Sequence, residues 1–123
     1  MNVKPAREED LAELLQMVTE YQEEYEDVAV TEEQALSKYL TALLADEQRG
    51  AVFIGRTTSG GHPIGFASIY LCPSTRSAAF VPTIIDLYVR ADYREKGFGR
   101  QLFDYAIKWA KAKKLPRLVC YCF

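Results

Sequence analysis

The sequence has little histidine, tryptophan or cysteine: one His, one Trp and three Cys among 123 residues. A lone histidine, His62, leaves the usual metal cages without their commonest ligand. Cys120-Tyr121-Cys122 has a single residue between its thiols, too tight for a usual zinc pair. Three cysteines are also an odd, sparse set for a disulfide framework, so they read as buried thiols of a protein in a reducing cytoplasm. No run approaches the roughly 18 consecutive apolar residues of a membrane helix. The opening MNVKPAREED carries charge with no apolar stretch behind it and does not read as a secretory signal. There is no internal repeat and no linker, so residues 1–123 read as one domain of ordinary globular composition, 49% apolar and 26% charged.

The net charge of −2 conceals a division. Up to Gln48 there are thirteen acids against three bases, and from Arg90 to Arg117 nine bases against three acids. Such a chain can hold an anionic and a cationic ligand in different places, although solvated helix faces produce the same pattern. A nucleic-acid surface is not indicated. The pI is near 5.4, and the aromatics do not interleave with the bases as a stacking platform requires.

Hydrophobic periodicity supplies the elements. Asn2 to Pro5 reads as a strand. From Glu8, the apolar positions Leu11, Leu14, Leu15, Val18, Tyr21 and Tyr25 form one stripe of an amphipathic helix. Thr31-Glu32-Glu33-Gln34 reads as a capping box opening a second helix, with Leu36, Tyr39, Leu40, Leu43 and Leu44 facing inward and a stop near Gly50. Ala51 to Arg56 and Ile64 to Leu71 flank a Gly/Ser/Pro turn and read as a hairpin. Pro73 to Ser77 reads as a polar loop. Thr83 to Val89 is a nearly continuous apolar strand of the kind covered on both faces, interrupted by Asp86. From Gly97 the helical period returns through Leu102, Phe103, Ala106, Ile107 and Ala110, until Pro116 ends it. Leu118 to Phe123 is a last apolar strand. The order is β-α-α-β-β-β-α-β, a mixed α/β sheet domain.

The chemistry lies at the junction Arg94-Glu95-Lys96-Gly97-Phe98-Gly99-Arg100, after an apolar strand and before an amphipathic helix. Gly97 and Gly99 can take positive φ and admit a ligand close to the backbone. The first amides of the following helix lack intrahelical partners and sit at the positive end of its dipole, an arrangement suited to a pyrophosphate. Arg94, Lys96 and Arg100 add mobile positive charge around it.

The stretch Leu87 to Leu102 resembles the central motif of the GNAT superfamily of N-acetyltransferases, a strand followed by Arg/Gln-x-x-Gly-x-Gly/Ala. Ala6-Arg7-Glu8-Glu9-Asp10-Leu11 is similar to the first strand-to-helix junction of that family, and the order of elements agrees along the whole chain. The resemblance implies a GNAT-like acyl-CoA N-acyltransferase fold. It also implies acetyl-CoA as cofactor, with its pyrophosphate at Arg94, Glu95, Lys96, Gly97, Phe98, Gly99 and Arg100. The backbone of Leu87, Tyr88 and Val89, at a bulge in the central strand, would pair with the pantetheine arm. The Val89 amide would polarise the thioester carbonyl.

Family members commonly continue with a helix, often bearing a Tyr that protonates the departing thiolate, and two more strands. The sequence ends at Phe123, so that segment is expected to be missing. The last apolar strand would then lie at a sheet edge, so either a second copy covers it or the chain is a shortened version of a longer gene product; a homodimer or strand-exchanged assembly is expected. Asp86 is the candidate base for the ammonium proton, with a structural Asp bonded to a neighbour as the alternative. Tyr88 and Tyr70 are candidate proton donors or packing residues, Tyr93 and Phe98 pack at the turn, and His62 is an exposed hairpin residue. The first two helices carry Glu20, Glu23, Glu24, Glu26 and Asp27. These either favour a cationic amine acceptor, small-molecule or peptide, or form a solvated face. The function expected is acetyl-CoA-dependent acetylation of a primary amine; the alternative is a GNAT-like acyl-CoA-binding protein that does not turn over.

Overall fold

Two faces of one sheet have to be covered, because its inner strands are apolar at successive positions. The computed structural model describes residues 1–24, 31–114 and 119–120. Five strands, β1 (Asn2–Pro5), β2 (Gly50–Arg56), β3 (Pro63–Ser74), β4 (Ala79–Val89) and β5 (Val119–Cys120), lie side by side in chain order. The first four are antiparallel and β5 runs parallel to β4. Three α-helices accompany them: α1 (Leu11–Glu24), α2 (Glu33–Leu44) and α3 (Phe98–Ala112). On one face Leu14 and Met17 of α1 and Leu36, Leu40 and Leu43 of α2 pack on Val52, Ile54 and Phe66. On the other, Leu102, Ala106 and Ala110 of α3 pack on Phe53, Ala67, Ile69 and Ile84. Both cores follow from period 2 in the strands meeting period 3.6 in the helices.

Phe53 is fully buried under α3, with Tyr105 and Trp109 set edge-on at centroid distances of 5.1 and 5.6 Å. Phe53→Ala should lower unfolding free energy by about 3–5 kcal/mol, read as a shift of the urea midpoint at unchanged slope.

Several expectations are corrected. The Thr31–Gln34 capping box does not form: α2 starts from Glu32 without a side-chain cap. Thr31 is instead held by Gln22 of α1, which accepts from the Thr31 amide at 3.0 Å and donates to its hydroxyl at 3.2 Å. Tyr39 lies off the buried stripe of α2 and is 53% exposed. The helix also stops at Leu44, short of Gly50. Pro73 and Ser74 belong to β3, paired with Phe80 and Ala79, so the loop shrinks to a turn over Thr75–Ala78. Proline is tolerated there near the hairpin end. Of the cysteines, Cys72 is a free, half-buried thiol. Tyr25, Glu26, Asp27, Pro116, Leu118 and residues 121–123 lie outside the described residues, and with them most of the last strand and the edge expected to pair in a homodimer. Among the described residues no helix is long and apolar enough to cross a membrane, and no three His, Cys, Asp or Glu are placed to hold a metal ion.

Candidate active site

One irregularity in β4 organises the site. Ile69 pairs with Ile84 but Ser68 pairs with Asp86, so Ile85 is the extra residue of a bulge. Strand side chains alternate between faces, and one added residue reverses the alternation. Ile84 therefore packs under α3, whereas Asp86 and Tyr88 face α1 and α2. The expected bulge at Leu87–Val89 is thus relocated to Ile85, and the apolar run is not covered throughout: Leu87 is 39% exposed.

Asp86 is half-buried and projects into a cavity of about 510 Å³ between α1, α2 and the sheet. Val18, Leu36, Leu40 and Phe66 supply apolar walls, and Tyr21, Tyr39 and Tyr70 line it with rings. The Tyr21 hydroxyl donates to Asp86 Oδ1 at 3.1 Å, and Tyr39 donates to the Tyr70 hydroxyl at 3.2 Å. Burial pushes the Asp86 carboxyl above the usual carboxylate range, and bonds from Tyr21 and the buried Ser68 offset only part of this. Asp86 is thus held by a neighbour, as the structural alternative expects, and also faces the cavity.

Past the bulge, register decides where backbone groups point. The Arg90 amide donates to Ile64 O at 2.8 Å, so Gly65 and Val89 form a pair whose N–H and C=O groups turn away from β3. The same alternation turns those of Leu87 outward. The β4–β5 ladder joins Thr83 and Ile84 to Val119 and Cys120, below this segment. Leu87 and Val89 thus direct backbone donors and acceptors to the side of β4 opposite β3.

The turn that follows is shaped by two left-handed residues, Glu95 (φ 64) and Gly97 (φ 82), before α3 begins at Phe98. Glu95 bears a cost of about 1–2 kcal/mol for that conformation, and glycine avoids it at 97. Gln101 is the first residue to bond back, to Gly97 O at 3.2 Å, so the amides of Phe98, Gly99 and Arg100 have no intrahelical acceptor. Gly99 does not take positive φ as expected; it is an ordinary helical residue in the first turn. A Cβ at Gly97 would meet nothing within 4 Å, and one at Gly99 only Val89 Cγ2 at 3.8 Å. Neither glycine is required by packing, so the space above the helix start is open, as a bound pyrophosphate needs.

Arg94 is not a mobile cation of that turn. It donates from Nη2 to both Glu24 carboxylate oxygens at 2.7 Å and from Nε to Val89 O at 2.7 Å, with its guanidinium 5.6 Å from the centre of the Tyr88 ring. It ties the end of β4 to α1. Arg90 does likewise with Glu20, Nη2 to Oε2 at 2.7 Å, and also bonds Pro63 O. Lys96 lies over the Tyr93 ring and Arg100 pairs with Asp104 at 3.3 Å, both on the exposed side. Tyr93 and Phe98 have ring centroids 6.3 Å apart at the turn, and His62 is exposed beside Arg90. Tyr88 is buried with its hydroxyl towards Glu20 and Glu24; burial first, and then those two carboxylates, push its pKa up to about 12. Burial also raises Tyr70.

The family model described as acetyltransferase (GNAT) matches residues 12–123. The chain belongs to the GNAT acetyltransferase family. It shares its fold with solved structures at low identity. A ribosomal-protein-alanine N-acetyltransferase from Brucella melitensis superposes with TM-score 0.77 at 20% identity, covering 100% of this chain and 81% of that one. An aminoglycoside antibiotic 6'-N-acetyltransferase from Acinetobacter haemolyticus gives 0.78 at 19%, covering 99% and 79%. An integron cassette protein from the mobile metagenome of Cole Harbour Salt Marsh gives 0.87 at 18%, covering 98% and 76%. No curated protein matches by sequence. The GNAT frame gives the site a direction: the bulged strand carries Asp86 to the cavity, outward-facing backbone at Leu87 and Val89, and the glycine turn.

Sequence reasoning missed Tyr21 as the partner of Asp86, and Glu20 and Glu24 as the anchors of Arg90 and Arg94. Their only signal was charge and hydroxyl content, which does not specify partners. Among the described acids of α1, Glu13, Glu20 and Glu24 hold Arg56, Arg90 and Arg94, so that face is not merely solvated.

Proposed function

We propose that this GNAT acetyltransferase moves an acetyl group from acetyl-CoA to a primary amine bound in the cavity beside Asp86. The observation that carries the reading is the continuity of β4. Within four residues it presents a half-buried carboxylate to a cavity and outward-facing backbone groups, and it then leads into an open glycine turn at a helix start.

Acetyl-CoA, when bound, supplies the thioester that the amine attacks and the thiol that leaves. The protein's own part is binding and proton handling. The amides of Phe98, Gly99 and Arg100, with Lys96 and Arg100 at the rim, would receive the pyrophosphate. Leu87 and Val89 would offer strand-like bonds to the arm, and the Val89 N–H would donate to the thioester carbonyl oxygen. Asp86 takes a proton from the entering ammonium and frees its lone pair, and Tyr21 fixes the carboxylate during that transfer. The products are an amide and a thiol. The thiol sulfur retains one amine proton, and the other passes from Asp86 to solvent.

The test pairs calorimetric titration of acetyl-CoA with a thiol-release assay over a panel of amines. Micromolar binding together with amine-dependent thiol release supports the reading. Binding without release under any amine identifies an acyl-CoA-binding protein instead.

A further inference from the structure

We infer that the acceptor is a small amine with a single positive charge and an apolar, preferably aromatic, body, seated in the cavity with its ammonium on Asp86. This rests on the acyl transfer proposed above and adds the class of substrate. Asp86 is the one carboxylate among the described residues that line the cavity. A carboxylate has about four lone-pair sites. The Tyr21 hydroxyl and Ser68 take two of them, and room remains for an ammonium.

The other polar groups of the wall have partners. The Tyr39 and Tyr70 hydroxyls bond each other, and Thr31 bonds Gln22. What faces the interior otherwise is hydrocarbon and ring, chiefly Val18, Leu36, Leu40 and Phe66. A volume of about 510 Å³ is at the scale of a small organic ligand.

A polyamine or an aminoglycoside would bring further ammonium groups into these walls. Among the described residues no second carboxylate lines the cavity to meet them, and two acids of α1 are engaged elsewhere. Glu20 and Glu24 grip Arg90 and Arg94, and they line a separate concavity with His62 and Tyr88. A second cation against Val18, Leu36 and Leu40 would be desolvated without a partner. Charge therefore selects one ammonium, and the walls select what it is attached to.

The experiment compares kcat/KM from thiol release for phenethylamine, ethanolamine and spermidine with the full-length chain. Phenethylamine should exceed ethanolamine by about 100-fold, the value of burying a phenyl group, and spermidine by at least about 10-fold. In Ala35→Glu, a new carboxylate stands at the exposed edge of the cavity. Spermidine should then gain about 10-fold relative to phenethylamine. Spermidine or an aminoglycoside equal to or better than phenethylamine in the unaltered chain would overturn the inference and leave acetyl transfer standing. If no amine releases thiol, acetyl transfer fails instead, and direct calorimetric titration of the amines decides the substrate class. Phenethylamine binding tighter than spermidine and lost in Asp86→Asn sustains it; equal or absent binding ends it.

Discussion

Replacing Gly99 with Asp is expected to abolish acetyl-CoA binding, with at least a 100-fold rise in Kd by order of magnitude, while the melting temperature stays within a few degrees. The fold has no objection to a side chain there. Gly99 has helical backbone, and a Cβ would make only an ordinary contact with Val89 Cγ2 at 3.8 Å. A carboxylate in the first turn of α3 also suits the helix dipole, by about 0.3–1 kcal/mol. The ligand's position is different. The new charge would stand beside the free amides of Phe98, Gly99 and Arg100, where the pyrophosphate is proposed to lie. Two like charges about 4 Å apart at an effective dielectric of 20 repel by about 4 kcal/mol. Gly99→Ala adds the Cβ without the charge and should lose far less. Calorimetric titration of coenzyme A together with a thermal melt reads both sides. An Asp variant that binds as well as the parent would place the pyrophosphate elsewhere.

That turn was legible because it is contiguous. A strand, a left-handed glycine and a helix start lie within residues 87–102, and local periodicity marks each of them. The two helical stripes and the β2–β3 hairpin were readable for the same reason. The bulge was not. Thr83 to Val89 is apolar with hardly any alternation, so nothing in it records that parity changes at Ile85, and the face Asp86 looks towards depends on that change. Pairings across the fold were equally silent. Tyr21 meets Asp86 from 65 positions away, and Glu24 meets Arg94 from 70. A stretch of acids announces charge but not which arginines it will hold. The capping box erred differently, since Thr31 had a better partner in Gln22, a residue local pattern could not bring near it.

Asp86→Asn separates a catalytic carboxylate from a structural one, because the two roles predict opposite signs. A residue kept only for stability should, on removal, leave a weaker fold. For Asp86 the sign follows from burial, which raises the folded-state pKa above that of the unfolded chain. The folded state then holds the proton more tightly, so stability falls as pH rises from the ordinary Asp value through the raised one, where the cost of the buried charge becomes complete. Asn carries no charge to bury, and its side-chain oxygen can still accept from the Tyr21 hydroxyl. The variant should therefore be at least as stable as the parent at pH 7, with its advantage shrinking as pH falls towards the unfolded Asp range. Activity should move the other way, with kcat/KM for an amine dropping by about 100-fold or more through loss of the general base. The acidic limb of the parent's pH–rate profile, set by Asp86, should vanish in what remains. Urea unfolding at pH 4 and pH 7, run beside the rate profile, measures both. A variant that is less stable at pH 7 yet equally active would return Asp86 to a purely structural role and leave the proton to another acceptor.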